Sequence, residues 1–153
     1  MKGMVEAKVT HHFKAPAERV FDAWLDPTMV RSWMSLPSPV LGTMDVRRIE
    51  IDARVGGRFT FSDMRKGGEA VHWGFYREID RPRRLVFSWF TSEEEEEEDS
   101  SVVTLTIEPT EEGCVATIVH SMNEQWAEYV KQTEKGWDSL LSQIDSFYQG
   151  QHA

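Results

Sequence analysis

Val103-Thr104-Leu105-Thr106-Ile107, then Ala116-Thr117-Ile118-Val119-His120, then Trp126, Val130, Thr133, Trp137, Leu140, Leu141, Ile144, Phe147 and Tyr148: these three patterns in succession decide the fold. In the first, Val103, Leu105 and Ile107 alternate with polar residues, and in the second Ala116, Ile118 and His120 share one parity, both with the period two of half-buried strands; the turn Pro109–Gly113 joins them. The third repeats at steps of three and four, the signature of an amphipathic helix. Ser121-Met122-Asn123-Glu124 has the form of a capping box, which places this helix from about Asn123 to Tyr148, roughly 39 Å at 1.5 Å per residue, with Gly150 as a stop. Gly136 in mid-helix costs about 1 kcal/mol relative to alanine, and points to a close approach of backbone or of a bulky partner at Trp137.

Working back toward the N-terminus, more strands appear. Met44 to Val55 is one, bulged because Ile49 and Ile51 share a parity that Val46 does not. Gly56-Gly57 turns the chain into Arg58–Met64, and Lys66-Gly67-Gly68 turns it into Ala70–Ile79. Asp80-Arg81-Pro82-Arg83 leads into Leu85–Thr91. At the start of the chain Val5, Ala7, Val9, His11 and Phe13 alternate with polar residues. Two short helices follow: one carries Val20, Phe21, Trp24 and Leu25, and the other starts at Asp26-Pro27, with aspartate as N-cap and proline in the first turn. Ser35-Leu36-Pro37-Ser38-Pro39 reads as a loop.

The expected architecture is α+β: a curved antiparallel sheet of six to seven strands wrapped on a long C-terminal helix, one domain over residues 1–153. Only the last helix is long enough to cover the apolar face of such a sheet. A long helix across a strongly curved sheet tends to leave a space between them.

Composition bounds the function. The chain has 153 residues, 40% of them hydrophobic and 11% aromatic, enough for a real core. No apolar run approaches the roughly 20 residues needed to cross a bilayer, and no secretory signal is visible at the N-terminus. The single cysteine, Cys114, excludes an internal disulfide, and a cytoplasmic protein is the expectation. The net charge of −9 is uneven: residues 47–84 hold ten bases and six acids, residues 85–153 two bases and fifteen acids. Seven of those acids form one run, Glu93 to Asp99. It reads as a solvated flexible loop, with a docking tail for a basic partner or a loose divalent-cation site as alternatives. A negative chain repels phosphate backbones, which argues against nucleic acid as a partner.

Taken in order, further pieces resemble a known family. They are Ala15-Pro16-Ala17-Glu18-Arg19-Val20-Phe21 with Trp24, Asp26-Pro27 and Trp33; Asp52-Ala53-Arg54-Val55-Gly56-Gly57-Arg58-Phe59; Gly74-Phe75-Tyr76-Arg77-Glu78-Ile79 with Pro82; Arg84-Leu85-Val86-Phe87-Ser88-Trp89; Val103–Pro109; His120-Ser121; and Gly136-Trp137. The set resembles the START-like, helix-grip (SRPBCC) superfamily, in particular bacterial relatives of the C-terminal domain of the Hsp90 ATPase activator. The resemblance implies the fold read above. It also implies a space between sheet and helix, which superfamily members use for lipids, steroids, polyketides and plant hormones, and, for the activator itself, docking on a chaperone.

His11 and His12 are adjacent in a strand and point to opposite faces, so they cannot chelate together, and no metal or cofactor is expected. Cys114 lacks a neighbouring base, and no serine sits in a Gly-x-Ser-x-Gly turn. Asp52 and Glu78 are expected to pair with Arg54, Arg58 or Arg77 at the sheet surface rather than to act as acid and base. No catalytic residue is assigned. Trp33, Phe59, Phe61, Tyr76, Phe87, Trp89, His120, Trp137 and Leu141 are the expected cavity lining, although the same aromatic residues would serve equally to fill a core. His120 shares the inward parity of Ala116 and Ile118; it is either satisfied by a neighbour or available to a ligand, and in either role is expected to respond to pH near neutrality. By the resemblance Gly74 and Tyr76 face inward, which turns Trp73 and Phe75 outward with Val86 and Phe90 and makes that face a candidate homodimer interface. Three functions remain open: a binding domain for a small apolar ligand, a chaperone-linked adaptor, and an enzyme on an apolar substrate with His120 and Tyr76 as polar anchors.

Overall fold

The computed structural model describes residues 3–37 and 43–150. Ser38 and Pro39 of the expected loop lie outside them. Seven strands form one antiparallel sheet: β1 (Met4–Phe13), β2 (Asp45–Ile51), β3 (Arg58–Arg65), β4 (Gly68–Asp80), β5 (Arg84–Ser88), β6 (Val102–Pro109) and β7 (Cys114–Asn123). Their spatial order is β1-β7-β6-β5-β4-β3-β2, a meander from β2 to β7 closed by β1 along β7. Between β1 and β2 run α1 (Ala17–Asp22) and α2 (Pro27–Met34). The Asp26 side chain accepts from the backbone N–H of Thr28 and Met29, and Pro27 opens the helix. The expected bulge in β2 falls between Val46 and Arg48.

The curvature has a local cause. β4 pairs with β3 along Gly68–Phe75 and with β5 along Tyr76–Asp80, with a register shift between Tyr76 and Glu78. At this bend a Cβ on Gly74 would lie 1.8 Å from the Ser88 carbonyl oxygen, so only glycine lets β4 and β5 approach here. The Ser88 hydroxyl accepts from the Phe75 backbone N–H at 2.9 Å.

The C-terminal element differs from expectation at its start. β7 continues to Asn123, pairing with Met4, so Ser121 is sheet and no capping box forms. Asn123 caps instead, accepting from Gln125 N, and the next six residues, Glu124–Tyr129, form a 3-10 helix. α4 then runs over Val130–Gly150, 21 residues and about 31 Å. The consequence is that Trp126 leaves the buried stripe and stands 39% exposed. Trp137, Leu141, Ile144 and Tyr148 remain on the buried face of α4. Gln143, also buried, donates through Nε2 to the carbonyls of Trp33, Met34 and Leu36 (3.2, 3.3 and 2.7 Å), tying α4 to the end of α2.

The acidic run is helical rather than a loop: α3 spans Glu93–Glu98. Ser92 caps it, Glu95 accepts from the Thr91 backbone, and Asp99 ends it in a left-handed conformation at φ 49°. Glutamate has good helix propensity, and acidic residues suit a helix N-terminus. Tertiary bonds hold the rest: Trp73 Nε1 donates to Glu96 at 2.6 Å, and Arg77 pairs with Asp99. β5 correspondingly stops at Ser88, and only an isolated bridge between Trp73 and Phe90 continues it.

Candidate ligand cavity

The space between sheet and helix has two unlike ends. At one end α1, α2 and the turn between them insert Phe21, Val30, Trp33 and, from the turn, Trp24 against the sheet, all at most 4% exposed. The indole Nε1 of Trp33 donates to the Ala23 carbonyl at 2.8 Å. Phe59 is ringed by Phe61, Tyr76, Phe87 and Trp89, with centroids 5.1 to 5.8 Å away. The void left among Trp24, Phe59, Tyr76, Leu85 and Phe87 is about 10 Å³, room for about one water at most. Five of the nine expected lining residues, Trp33, Phe59, Tyr76, Phe87 and Leu141, are therefore core filling. Burial pushes the Tyr76 phenol pKa up.

At the other end a cavity of about 700 Å³ remains open to solvent. Phe61, Trp89, His120 and Trp137, the other four expected residues, line it, together with Met34, Met44, Met122 and Leu140. On α4 the cavity meets Thr133, Gly136, Trp137 and Leu140, a stripe adjoining the one that carries Leu141 and Ile144 into the core. Gly136 is not the close approach expected of it: a Cβ there would find no heavy atom within 4 Å. Its missing side chain opens room on the cavity side. The exposed pair Trp126 and Tyr129, with ring centroids 5.8 Å apart, stands at the mouth with Glu95 and Glu98 of α3.

His120 is satisfied and cavity-lining at once. Trp137 Nε1 can only donate, so Nδ1 of His120, 3.0 Å away, accepts; the ring proton then sits on Nε2, which donates to Ser101 Oγ at 2.8 Å. Burial pushes its pKa down to about 4, so the ring is neutral at physiological pH and does not respond near neutrality. It braces β7 against α4 and has no ring nitrogen to spare. Tyr76 and His120 do not share the cavity.

Sequence reasoning missed His72. It lines the cavity, and its ring stacks on Trp89 at 5.0 Å and 22°. The signal was available: it has the inward parity of Gly74 and Tyr76. Asp63 and Arg65, two further inward positions of β3, form an ion pair of 2.8 Å at the cavity wall.

The remaining candidates are structural. His11 Nε2 lies 2.9 Å from Asp145. Asp52 pairs with Arg54, and Glu78 with Arg84 rather than with Arg58 or Arg77. Cys114 is buried, and burial first, then Glu18, pushes its thiol up to about 11. Trp73 and Phe75 do point outward, but Val86 is 9% and Phe90 1% exposed within the chain itself. The Trp73 ring packs on Phe90 and under the Arg58 guanidinium at 5.7 Å, while its edge bonds to α3. The acidic helix thus covers part of the face expected to be open.

The family model for activator of Hsp90 ATPase homolog 1-like proteins matches residues 14–149. The chain belongs to this family. Its fold, a helix-grip sheet around α4, is the START-like architecture, and solved structures share it. A protein from Chromobacterium violaceum is 24% identical with a TM-score of 0.73, covering 93% of this chain and 95% of its own. One from Nitrosomonas europaea is 14% identical with a TM-score of 0.78, covering 97% and 96%. One from Mycobacterium smegmatis is 22% identical with a TM-score of 0.75, covering 96% and 92%. At these identities the likeness is one of fold. No curated protein matches. Among the described residues no helix is long and apolar enough to cross a membrane.

Proposed function

We propose that this member of the family binds a small apolar ligand in the cavity between the sheet and α4. The observation that carries this reading is the contrast in filling. One end of the space is packed to a void of about 10 Å³, whereas the other keeps about 700 Å³ open behind aromatic and methionine walls. That volume lies within the range of small-molecule sites, and apolar walls with a few polar groups are what such sites share. Methionine side chains adapt their shape to an occupant at little cost.

Gly136 supplies the test. N-phenyl-1-naphthylamine, an uncharged probe that brightens in apolar surroundings, is expected to bind the wild type and to quench Trp89 and Trp137. Gly136→Leu puts a branched side chain into the open space and is expected to abolish binding while the protein stays folded. Equal binding by both proteins would remove the cavity from the account. The family match favours a second reading, an adaptor for a chaperone ATPase. Stimulation of Hsp90 ATPase turnover by the purified chain, unaffected by Gly136→Leu, would favour it.

A further inference from the structure

Of the polar side chains that the strands bring to the cavity, all but one are already engaged. His120 has both ring nitrogens bonded, and Arg65 is held by Asp63. His72 is different: among the described residues its ring nitrogens have no hydrogen-bond partner, and its only ring contact is the stack on Trp89. Burial, then Arg65, holds its pKa below the usual histidine value, so the ring is neutral, with one nitrogen donating and the other accepting. Two features bear on shape and charge. Three aromatic residues, Phe61, Trp89 and Trp137, line the cavity, and aromatic walls suit a flat molecule. The rim carries the Glu95 and Glu98 carboxylates. Its one cation outside an ion pair, among the described residues, is exposed Lys135, where solvent leaves an ammonium little hold on an anion.

Resting on the cavity reading above, we propose that His72 is the ligand-orienting group of this site, and that the ligand is a flat, uncharged ring molecule carrying a hydroxyl or carbonyl group, not a fatty carboxylate. The hydroxyl or carbonyl meets the imidazole of His72 while the ring lies among Phe61, Trp89 and Trp137. A carboxylate would gain no buried cation and would face Glu95 and Glu98.

The experiment compares three probes by titration calorimetry at neutral pH: 2-naphthol, naphthalene and dodecanoate. Wild type is expected to prefer 2-naphthol over naphthalene about tenfold, the worth of one good hydrogen bond, and to bind dodecanoate at least tenfold more weakly than 2-naphthol. His72→Phe keeps a ring to stack on Trp89; it is expected to leave naphthalene unchanged and to erase the preference for 2-naphthol. His72→Asn, which keeps a donor and an acceptor, should restore part of it. Unchanged preference in His72→Phe, or dodecanoate binding as tightly as 2-naphthol, overturns the proposal while the cavity reading stands on N-phenyl-1-naphthylamine. Failure of every probe, that one included, overturns both.

Discussion

The two ends of the space beneath the sheet are built from the same residue types and do opposite things. Trp24, Trp33, Phe59, Tyr76 and Phe87 close one end; Phe61, Trp89 and Trp137 wall an opening at the other. What differs is the third party. At the closed end α1 and α2 push aromatic side chains into the gap, and Gln143 holds α2 in place. At the open end the chain enters α4 through a 3-10 segment whose aromatic residues, Trp126 and Tyr129, remain at the mouth, and Gly136 gives nothing to the interior. Aromatic content therefore does not distinguish core from cavity; the presence of a plug does.

Truncations give the largest test of this contrast. Trp33→Ala removes a side chain 1% exposed with no space to collapse into, and is expected to cost about 4 kcal/mol in urea unfolding. Trp89→Ala, half-buried beside an existing cavity, is expected to cost roughly 1–2 kcal/mol. Equal costs would mean that the two ends are packed alike.

Next in size is the brace at the boundary. His120 has its pKa lowered from 6.5 to about 4 by burial. Between these values the unfolded chain takes up a proton that the folded chain refuses. The stability this residue lends is thus complete above pH 6.5 and is lost as pH falls toward 4, by about 3 kcal/mol. Unfolding followed against pH should show the wild type losing more stability over that window than His120→Gln, which has no such proton to bind. Parallel pH profiles would show that the ring is not held neutral.

Smaller effects sharpen the open end. Gly136→Ala is expected to raise stability by about 1 kcal/mol, a rise of about 2–4 °C in Tm, because the added methyl meets open space and alanine favours helix. A loss instead would restore the close approach that the sequence pattern suggested. Smallest is Glu98→Lys, at the C-terminal end of α3, where like charges and the helix dipole both oppose a glutamate. A gain of about 0.5 kcal/mol is expected, read as a small rise in urea midpoint.

Much of the fold was legible in periodicity. The strands, the β2 bulge and the Asp26-Pro27 helix start all follow from side-chain parity and turn chemistry within a few residues. The errors fall where a distant partner decides. Ser121 could have capped a helix, but Met4 and Val5 extend β7 past it by pairing with Asn123 and Met122. Glu93–Glu98 would repel itself in isolation, but Trp73 and Arg77 give it anchors. In the candidate site, four of nine lining residues were placed on the cavity. His72 shares the inward parity of Gly74 and Tyr76, but parity alone does not say whether an inward imidazole meets a partner or an opening.

By itself, then, the sequence determined which residues face inward, because alternation and helical spacing are local properties of the backbone. It also determined that a long amphipathic helix must cover a sheet, because an apolar face cannot stay in water. Only the tertiary structure decided where the inward side chains meet one another and where they stop short. Filling is a property of volume shared among elements far apart in the chain, and the same tryptophan, phenylalanine and histidine residues pack a core or wall a cavity according to what stands opposite them.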